Sequence, residues 1–458
     1  MACEQVTLQD VCELIVDCPH TSAKDEGVGY PLIRTPNVGR GRLILADVDR
    51  VSQDVYERRD SRAVPRQGDL ILAREAPAGN VAIVSPGIEV CLGQRTMLLR
   101  PDSSFVVPEY LNYYLNAPEQ RDRMLRLANG ATVSHINVAD IRNMPVQLPS
   151  RGEQSKVAEL LNVLDDKIDL NNRLNDYLEQ LVDGKFQELF GGLNFNATLS
   201  DVAEITMGQS PAGSSYNEEG AGIIFYQGRG EFGWRFPKRR LYTTEPKRLA
   251  CEGDVLMSVR APVGDLNVAF ENCCIGRGLA AIHSETPSFA LYLMRFLKPQ
   301  LEAYNGEGTV FGSINGKALK SLEVALPSHN EVMQFESFAA PIDALIRSNE
   351  NETRKLNNLR NYLLPKLMSG EIDVSKVDLT QLTNNHLAGR MHWSNVIRVR
   401  AIHAVHSQQS QIPAYESVPK VSHSPCRTAL TLGGIAPLLS WLAVSQFTAQ
   451  SFAMLVVF

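Results

Sequence analysis

A chain of 458 residues, 44% of them hydrophobic and 21% charged, has the balance of a soluble globular protein and the length for about three domains. That composition excludes a disordered, collagen-like or disulfide-scaffold chain. With 45 Lys and Arg against 51 Asp and Glu, the net charge is -6, which argues against gripping nucleic acid by bulk positive charge alone and leaves room for local basic faces. The cysteines, Cys3, Cys12, Cys18, Cys91, Cys251, Cys273, Cys274 and Cys426, form no Cys-x-x-Cys pair and no zinc-finger spacing with histidine. They read as reduced, mostly buried thiols in a cytoplasm. Residues 1–10 lack the basic region and apolar run of a signal peptide.

Residues 1–150 are rich in β-formers, Gly and Pro, and form a first globular module with a curled sheet. Within it 69–73 and 81–85 are predicted strands, each a short apolar run bounded by turn residues, and 110–127 a helix. A long helix is predicted over 151–191. No proline lies between Ser150 and Phe190, and Val157, Leu161, Leu164, Ile168, Asn171, Asn175, Leu178 and Val182 follow alternating steps of four and three, a heptad seam. Residues 192–327 repeat the character of the first module, with strands at 255–259 and 266–270 and a helix at 289–301. A second long helix covers 328–372, with the seam Phe335, Ala339, Ile342, Ile346, Asn349, Thr353, Leu356 and Arg360 weakening at its end. Residues 373–458 form a tail outside this pattern.

The chain repeats itself. Gly68-Asp69-Leu70-Ile71-Leu72 returns as Gly253-Asp254-Val255-Leu256-Met257, and Ala76-Pro77-Ala78-Gly79 as Ala261-Pro262-Val263-Gly264, both 185 residues on. Ile136-Asn137 returns as Ile314-Asn315 and Leu148-Pro149-Ser150 as Leu326-Pro327-Ser328, both 178 residues on. An ordered series of matches with a small change of offset is a duplication with a few indels. Asn171 and Asn349 hold equivalent seam positions, where an amide lowers stability and fixes register. Two ordinary amphipathic core helices are the plainer alternative; length and matched seams favour a pair. The expected fold is therefore α+β: two pseudo-repeated globular domains separated by two long helices that form an antiparallel coiled coil, a rod of about 60 Å. A rod of that scale holding two diverged heads suits the reading of two DNA half-sites one to two turns apart.

In these repeated Gly-Asp strand segments, their Ala-Pro-x-Gly sequels, and the Ile-Asn to Pro lead-ins that feed long helices with Glu153 and Glu331 near their starts, the chain resembles the specificity subunit of type I restriction–modification systems over about residues 1–372. The resemblance implies that each head is a target recognition domain reading one half of a split, asymmetric site in double-stranded DNA. It implies that the helices set the spacer between the halves. It also implies docking of two methyltransferase subunits, joined by restriction and translocase subunits. S-adenosylmethionine, ATP and magnesium would belong to those partners, with no cofactor or small-molecule substrate held by this chain. The residues agree with a non-catalytic subunit: no Pro-Pro dipeptide exists for an adenine methyltransferase loop, and no phosphate-binding G-x-x-x-x-G-K-[ST] is present. A coiled-coil scaffold whose heads bind proteins is the alternative, and a standalone nuclease or methyltransferase a further rival.

Trp234-Arg235-Phe236-Pro237-Lys238-Arg239-Arg240 is the densest basic stretch with interleaved aromatics. It reads either as a DNA-facing loop, with phosphate contacts from Lys238, Arg239 and Arg240 and stacking from Trp234, or as a solvated charged turn. In the first head Arg34, Arg40, Arg42, Arg58, Arg59 and Arg62 are candidates, Arg40 and Arg42 being the most loop-like. Arg74 and Arg260 lie just past the paired strands, one position out of register, as a shared phosphate contact or a structural ion pair. Residues 132–135 and 309–313 read as hinge loops or as contacts to phosphate or partner. His20, His135 and His283 have no ligand-like companions, so no metal site is expected.

Beyond Leu379 the only acid is Glu416, against Arg390, Arg398, Arg400, Lys420 and Arg427, and 428–458 carries no charge. The stretch 430–458 has the length of a membrane span, interrupted by Gly433, Gly434, Pro437 and polar residues, so a membrane partner is not expected. An anchor, a partner-binding tail and an out-of-frame read compete, the last fitting the abrupt loss of acids best. Without the tail, 1–379 carries 40 basic and 50 acidic residues.

Overall fold

The structure, a computed structural model, describes residues 4–19, 21–75, 77–128, 135–306 and 312–374. The expectations for His20, for 132–134 and 309–311, and for nearly all of the tail fall outside those residues. Two compact units emerge: the chain up to Asp169 with the described residues from Arg354 on, and Leu170–Thr353. Each unit holds one head and a part of both long helices.

The first unit contains β1 (Glu4–Thr7), β2 (Cys12–Asp17), β3 (Gly41–Arg42), β4 (Leu70–Ala73), β5 (Val81–Ile83), β6 (Thr96–Pro101) and β7 (Pro145–Leu148). A five-stranded sheet runs in the order β2-β6-β4-β5-β3, and β1 pairs antiparallel with β7. All four residues of β4 are buried because both faces of the sheet are covered. Leu70 and Leu72 join a core with Met97, Leu99, Tyr110 and Leu161, while Ile71 and Ala73 join a second core with Ala82 and Leu98. The stretch predicted as one helix divides into α1 (Pro108–Asn116) and α2 (Pro118–Leu127). Ala117 between them is extended (φ -61°, ψ 144°), because the ring of Pro118 disfavours a helical residue before it.

The second unit contains β8 (Ala197–Thr198), β9 (Glu204–Met207), β10 (Val255–Ser258), β11 (Leu266–Val268), β12 (Leu279–His283) and β13 (Glu323–Val324), with the helix α3 (Pro287–Phe296). Its sheet order β9-β12-β10-β11 reproduces β2-β6-β4-β5 of the first unit, and β8 pairs with β13 as β1 does with β7. The register also repeats: Leu70 faces Ile83 and Leu99, and Val255 faces Val268 and Ile282. Gly68 (φ +86°) and Gly253 (φ +89°) make the same left-handed turn into the central strand, a conformation that favours glycine. The residue after each is an aspartate that accepts a backbone N–H three residues back: Arg66 N–H to Asp69 at 2.8 Å, Cys251 N–H to Asp254 at 2.7 Å. The predicted helix 289–301 divides at Leu297, before the short helix Lys298–Glu302 with Pro299 in its first turn.

Both long helices, Arg151–Phe190 and His329–Met368, have 40 residues. They start alike: Ser150 N–H donates to Glu153 (3.0 Å) and Glu153 N–H to the Ser150 hydroxyl (3.4 Å), and Ser328 and Glu331 repeat the exchange at 2.8 and 3.4 Å. Each is a capping box that satisfies two otherwise orphaned backbone donors. In the first unit, Val157, Leu161 and Leu164 share a core with Leu363 and Leu367, and Arg360 donates to Asp165 at 2.8 Å. In the second unit, Asn171 reaches Thr353 (3.4 Å), Asn175 meets Asn349 (2.8 Å) and Phe186 meets Phe335 edge-on at 5.3 Å. Within that unit the partners fall along one segment as they rise along the other, so the two segments run antiparallel. The second helix continues through Pro341 and Pro365, unlike its proline-free counterpart. Both prolines occupy exposed positions, where the carbonyl that each leaves without a helical donor can reach water.

Candidate nucleic-acid interface

The basic stretch of the second head divides by direction. Arg235 and Phe236 point inward. The Arg235 guanidinium, 4% exposed, donates to Glu179 at 3.1 Å, to Asp343 at 3.2 Å and to the Tyr292 hydroxyl at 3.2 Å. Phe236 packs edge-on against Phe270, centroids 5.3 Å apart. With these two residues as anchors, Trp234, Lys238, Arg239 and Arg240 are left exposed. Arg239 pairs with Glu271 at 2.6 Å and Arg240 with the buried Glu231 at 2.7 Å. Glu231 also accepts the Lys238 N–H through its own carbonyl at 2.7 Å, which fixes the backbone from which Lys238 projects. The result is an indole and a cluster of cations on a turn anchored by Arg235 and Phe236, able to offer charge to phosphate and a π-face to a base or sugar.

In the first head the candidates separate. Arg40 is exposed. Arg42 pairs with Asp166 at 2.7 Å and with Asp169, both on the first long helix. Arg74 pairs with Asp17 at 2.7 Å and donates to the Ile136 carbonyl at 3.0 Å. Arg59 is buried and donates to the carbonyls of Leu92 (2.9 Å) and Thr21 (2.8 Å). Arg34 pairs with Asp49, while Arg58 and Arg62 donate to the carbonyls of Asp54 (3.1 Å) and Asp17 (3.3 Å).

Arg74 and Arg260 are not equivalent. The Arg74 carbonyl accepts the Ile136 N–H and the Val259 carbonyl accepts the Ile314 N–H, each at 3.1 Å. The β-bridges Glu75↔His135 and Arg260↔Ser313 follow, so exposed Arg260 stands where the first head has Glu75.

Asn171 and Asn349 are both buried and tied across the helix pair. Asn171 Nδ2 donates to Glu352 at 2.9 Å, and Asn349 Nδ2 to Asn175 Oδ1 at 2.8 Å.

Two features escaped the sequence. An open groove in the second unit is lined by Arg248, Lys317 and Lys320 with Thr198, Ser200 and Ser321; these residues lie too far apart in the chain to form a basic run. Cys251, Asp254 and His283 bring their ligand atoms within 4.8 Å of one another. His283 therefore does have ligand-like companions, contrary to expectation, because the β10–β12 pairing carries it to the Gly-Asp turn.

A profile of the type I restriction modification DNA specificity domain matches residues 2–180 and again 196–361. The chain belongs to this family. It is 31% identical over 396 residues to a protein provisionally named as the type I restriction enzyme MjaX specificity subunit of Methanocaldococcus jannaschii, covering 80% of this chain and 93% of that one. The MjaIX specificity subunit from the same organism is 22% identical over 352 residues, 68% and 79% of the two chains. The crystal structure of a type I restriction–modification S subunit from M. genitalium matches 80% of this chain and 96% of its own with a TM-score of 0.56 at 16% identity, a likeness of fold. In this specificity subunit the two matched segments each pair one head with most of one long helix, so the family domain is the duplicated element itself.

Proposed function

We propose that this chain is the DNA-reading, non-catalytic subunit of a type I restriction–modification complex. Each head reads one half of a split, asymmetric site in double-stranded DNA, and the two long helices form an antiparallel coiled coil that sets the spacer. Two methyltransferase subunits dock on the chain and restriction–translocase subunits join them, bringing S-adenosylmethionine, ATP and magnesium with them. The single observation that carries the reading is the duplication: two sheets that share four strands in the same order and register, each leading into a 40-residue helix with the same capping box. A repeated reader with a repeated spacer suits a bipartite target better than one continuous site.

Within the heads we assign the DNA-facing role to Trp234, Lys238, Arg239, Arg240 and Arg260, and to Arg40 on the first head. Arg42 and Arg74 are only 34% and 12% exposed within their ion pairs, which favours a structural role for those two, whereas the paired Arg239 and Arg240 keep 50% and 56% of their side chains exposed. The acidic balance of 1–379, 40 basic against 50 acidic residues, favours partners that supply much of the phosphate contact. Co-expression with its methyltransferase subunit, followed by mapping of methylated adenines, tests the reading. An interrupted motif dependent on this chain is expected. Methylation independent of this chain, or none, would reject it.

A further inference from the structure

We propose that Cys251, Asp254 and His283 form a zinc-class metal site that staples the second head at the place where the first head uses an ion pair. The two heads share the same strand register at this point. Leu70 faces Leu99 as Val255 faces Ile282, so Asp69 corresponds to Asp254, Arg100 to His283 and Arg66 to Cys251. In the first head Arg100 clamps Asp69 with two bonds, Nε at 2.9 Å and Nη2 at 2.8 Å, and ties the Gly-Asp turn to the neighbouring strand. In the second head both arginines are replaced, and both replacements are residues that bind borderline metals.

The geometry of the second head suits a cation. His283 Nδ1 lies 2.6 Å from Asp254 Oδ1, while Asp254 Oδ2 accepts the Cys251 N–H at 2.7 Å. The backbone thus orients the carboxylate, the kind of outer support that metal-binding carboxylates receive, and an ion would replace the His283 contact at Oδ1. The three ligand atoms already lie within 4.8 Å of one another, so a small outward movement of the imidazole admits an ion at about 2.0–2.3 Å from N, O and S. Asp254 is buried, Cys251 half-buried and His283 52% exposed on its side chain, which leaves a fourth position open to water.

Charge points the same way. Glu204 lies opposite His283 in the β9–β12 ladder, as the first head places acidic Glu13 near Arg100. Exchanging Arg100 for His283 therefore removes a permanent cation from between two carboxylates, and a divalent ion restores it.

The full chain, titrated with Co(II), should develop a thiolate-to-cobalt charge-transfer band and the visible bands of a tetrahedral site, both abolished by Zn(II). Cys251→Ser should lose the charge-transfer band. His283→Arg, which restores the ion pair of the first head, should lose cobalt binding while keeping the thermal unfolding midpoint of the parent chain stripped of metal. No charge-transfer band in the parent, or an undiminished band in Cys251→Ser, would overturn the proposal and leave His283 and Asp254 as an ion pair only.

Discussion

The basic run at 234–240 shows how one residue type serves opposite ends within a few positions. Arg235 is a buried cation shared between Glu179 and Asp343, whereas Lys238 is exposed three residues on. Removing a buried charge leaves its partners uncompensated. Arg235→Ala should therefore lower stability by about 3 kcal/mol in denaturant unfolding. Lys238→Ala should leave stability within about 0.5 kcal/mol, and should reduce the slope of log affinity against log salt by about one in the assembled complex. Equal stability losses in both variants would contradict this division of labour. The run itself was visible in the sequence; its division was not, because direction depends on Glu179 and Asp343, which lie 56 and 108 residues away. The trio of Cys251, Asp254 and His283 was invisible for the same reason, since Asp254 and His283 stand 29 positions apart. Asp60 adds a pH dependence. Burial raises its carboxyl from the ordinary 3.8 to about 7, and Tyr56 and Arg59 offset this only in part. A value raised in the folded state means that the contribution is full below about pH 4 and is lost as pH rises to about 7. Asp60→Asn should flatten the fall in stability over that window and be the more stable chain at pH 8, read from unfolding midpoints across pH.

At the scale of elements, the heptad seam predicted most of what the long helices bury. Val157, Leu161, Leu164, Ile168, Asn171, Asn175 and Val182 are all buried, and so are Phe335, Ala339, Ile346 and Asn349. The second seam weakens at Arg360, which instead reaches Asp165, and apolar burial resumes at Leu363 and Leu367. Periodicity carried this far because a helix repeats its own face. It missed the break at Ala117, where a local steric rule about proline overrides the apolar pattern, and it had no means to place the groove of Arg248, Lys317 and Lys320. The seam amides yield a paired test. Asn349→Leu alone should cost about 1–3 kcal/mol by leaving the buried Asn175 oxygen without its donor. Adding Asn175→Leu should recover most of that loss, because two apolar groups then face each other. A double variant as unstable as the sum of the singles would show that the Asn175–Asn349 bond is not the coupling.

For the whole molecule, the duplication was the most legible feature, since constant offsets of 185 and 178 residues map onto strands with the same partners in the same register. What each head reads was not legible, because base contacts depend on a few exposed side chains that the duplication does not constrain. No helix among the described residues is long and apolar enough to cross a membrane, and the apolar 430–458 lies outside them. If each head is an independent reader, replacing residues 1–150 with the first head of another family member, in a complex with the methyltransferase subunit, is the most direct measurement of the central claim. Mapping of methylated adenines should then show one half of the interrupted motif changed and the other half and the spacer retained. A change in both halves, or in neither, would contradict the account.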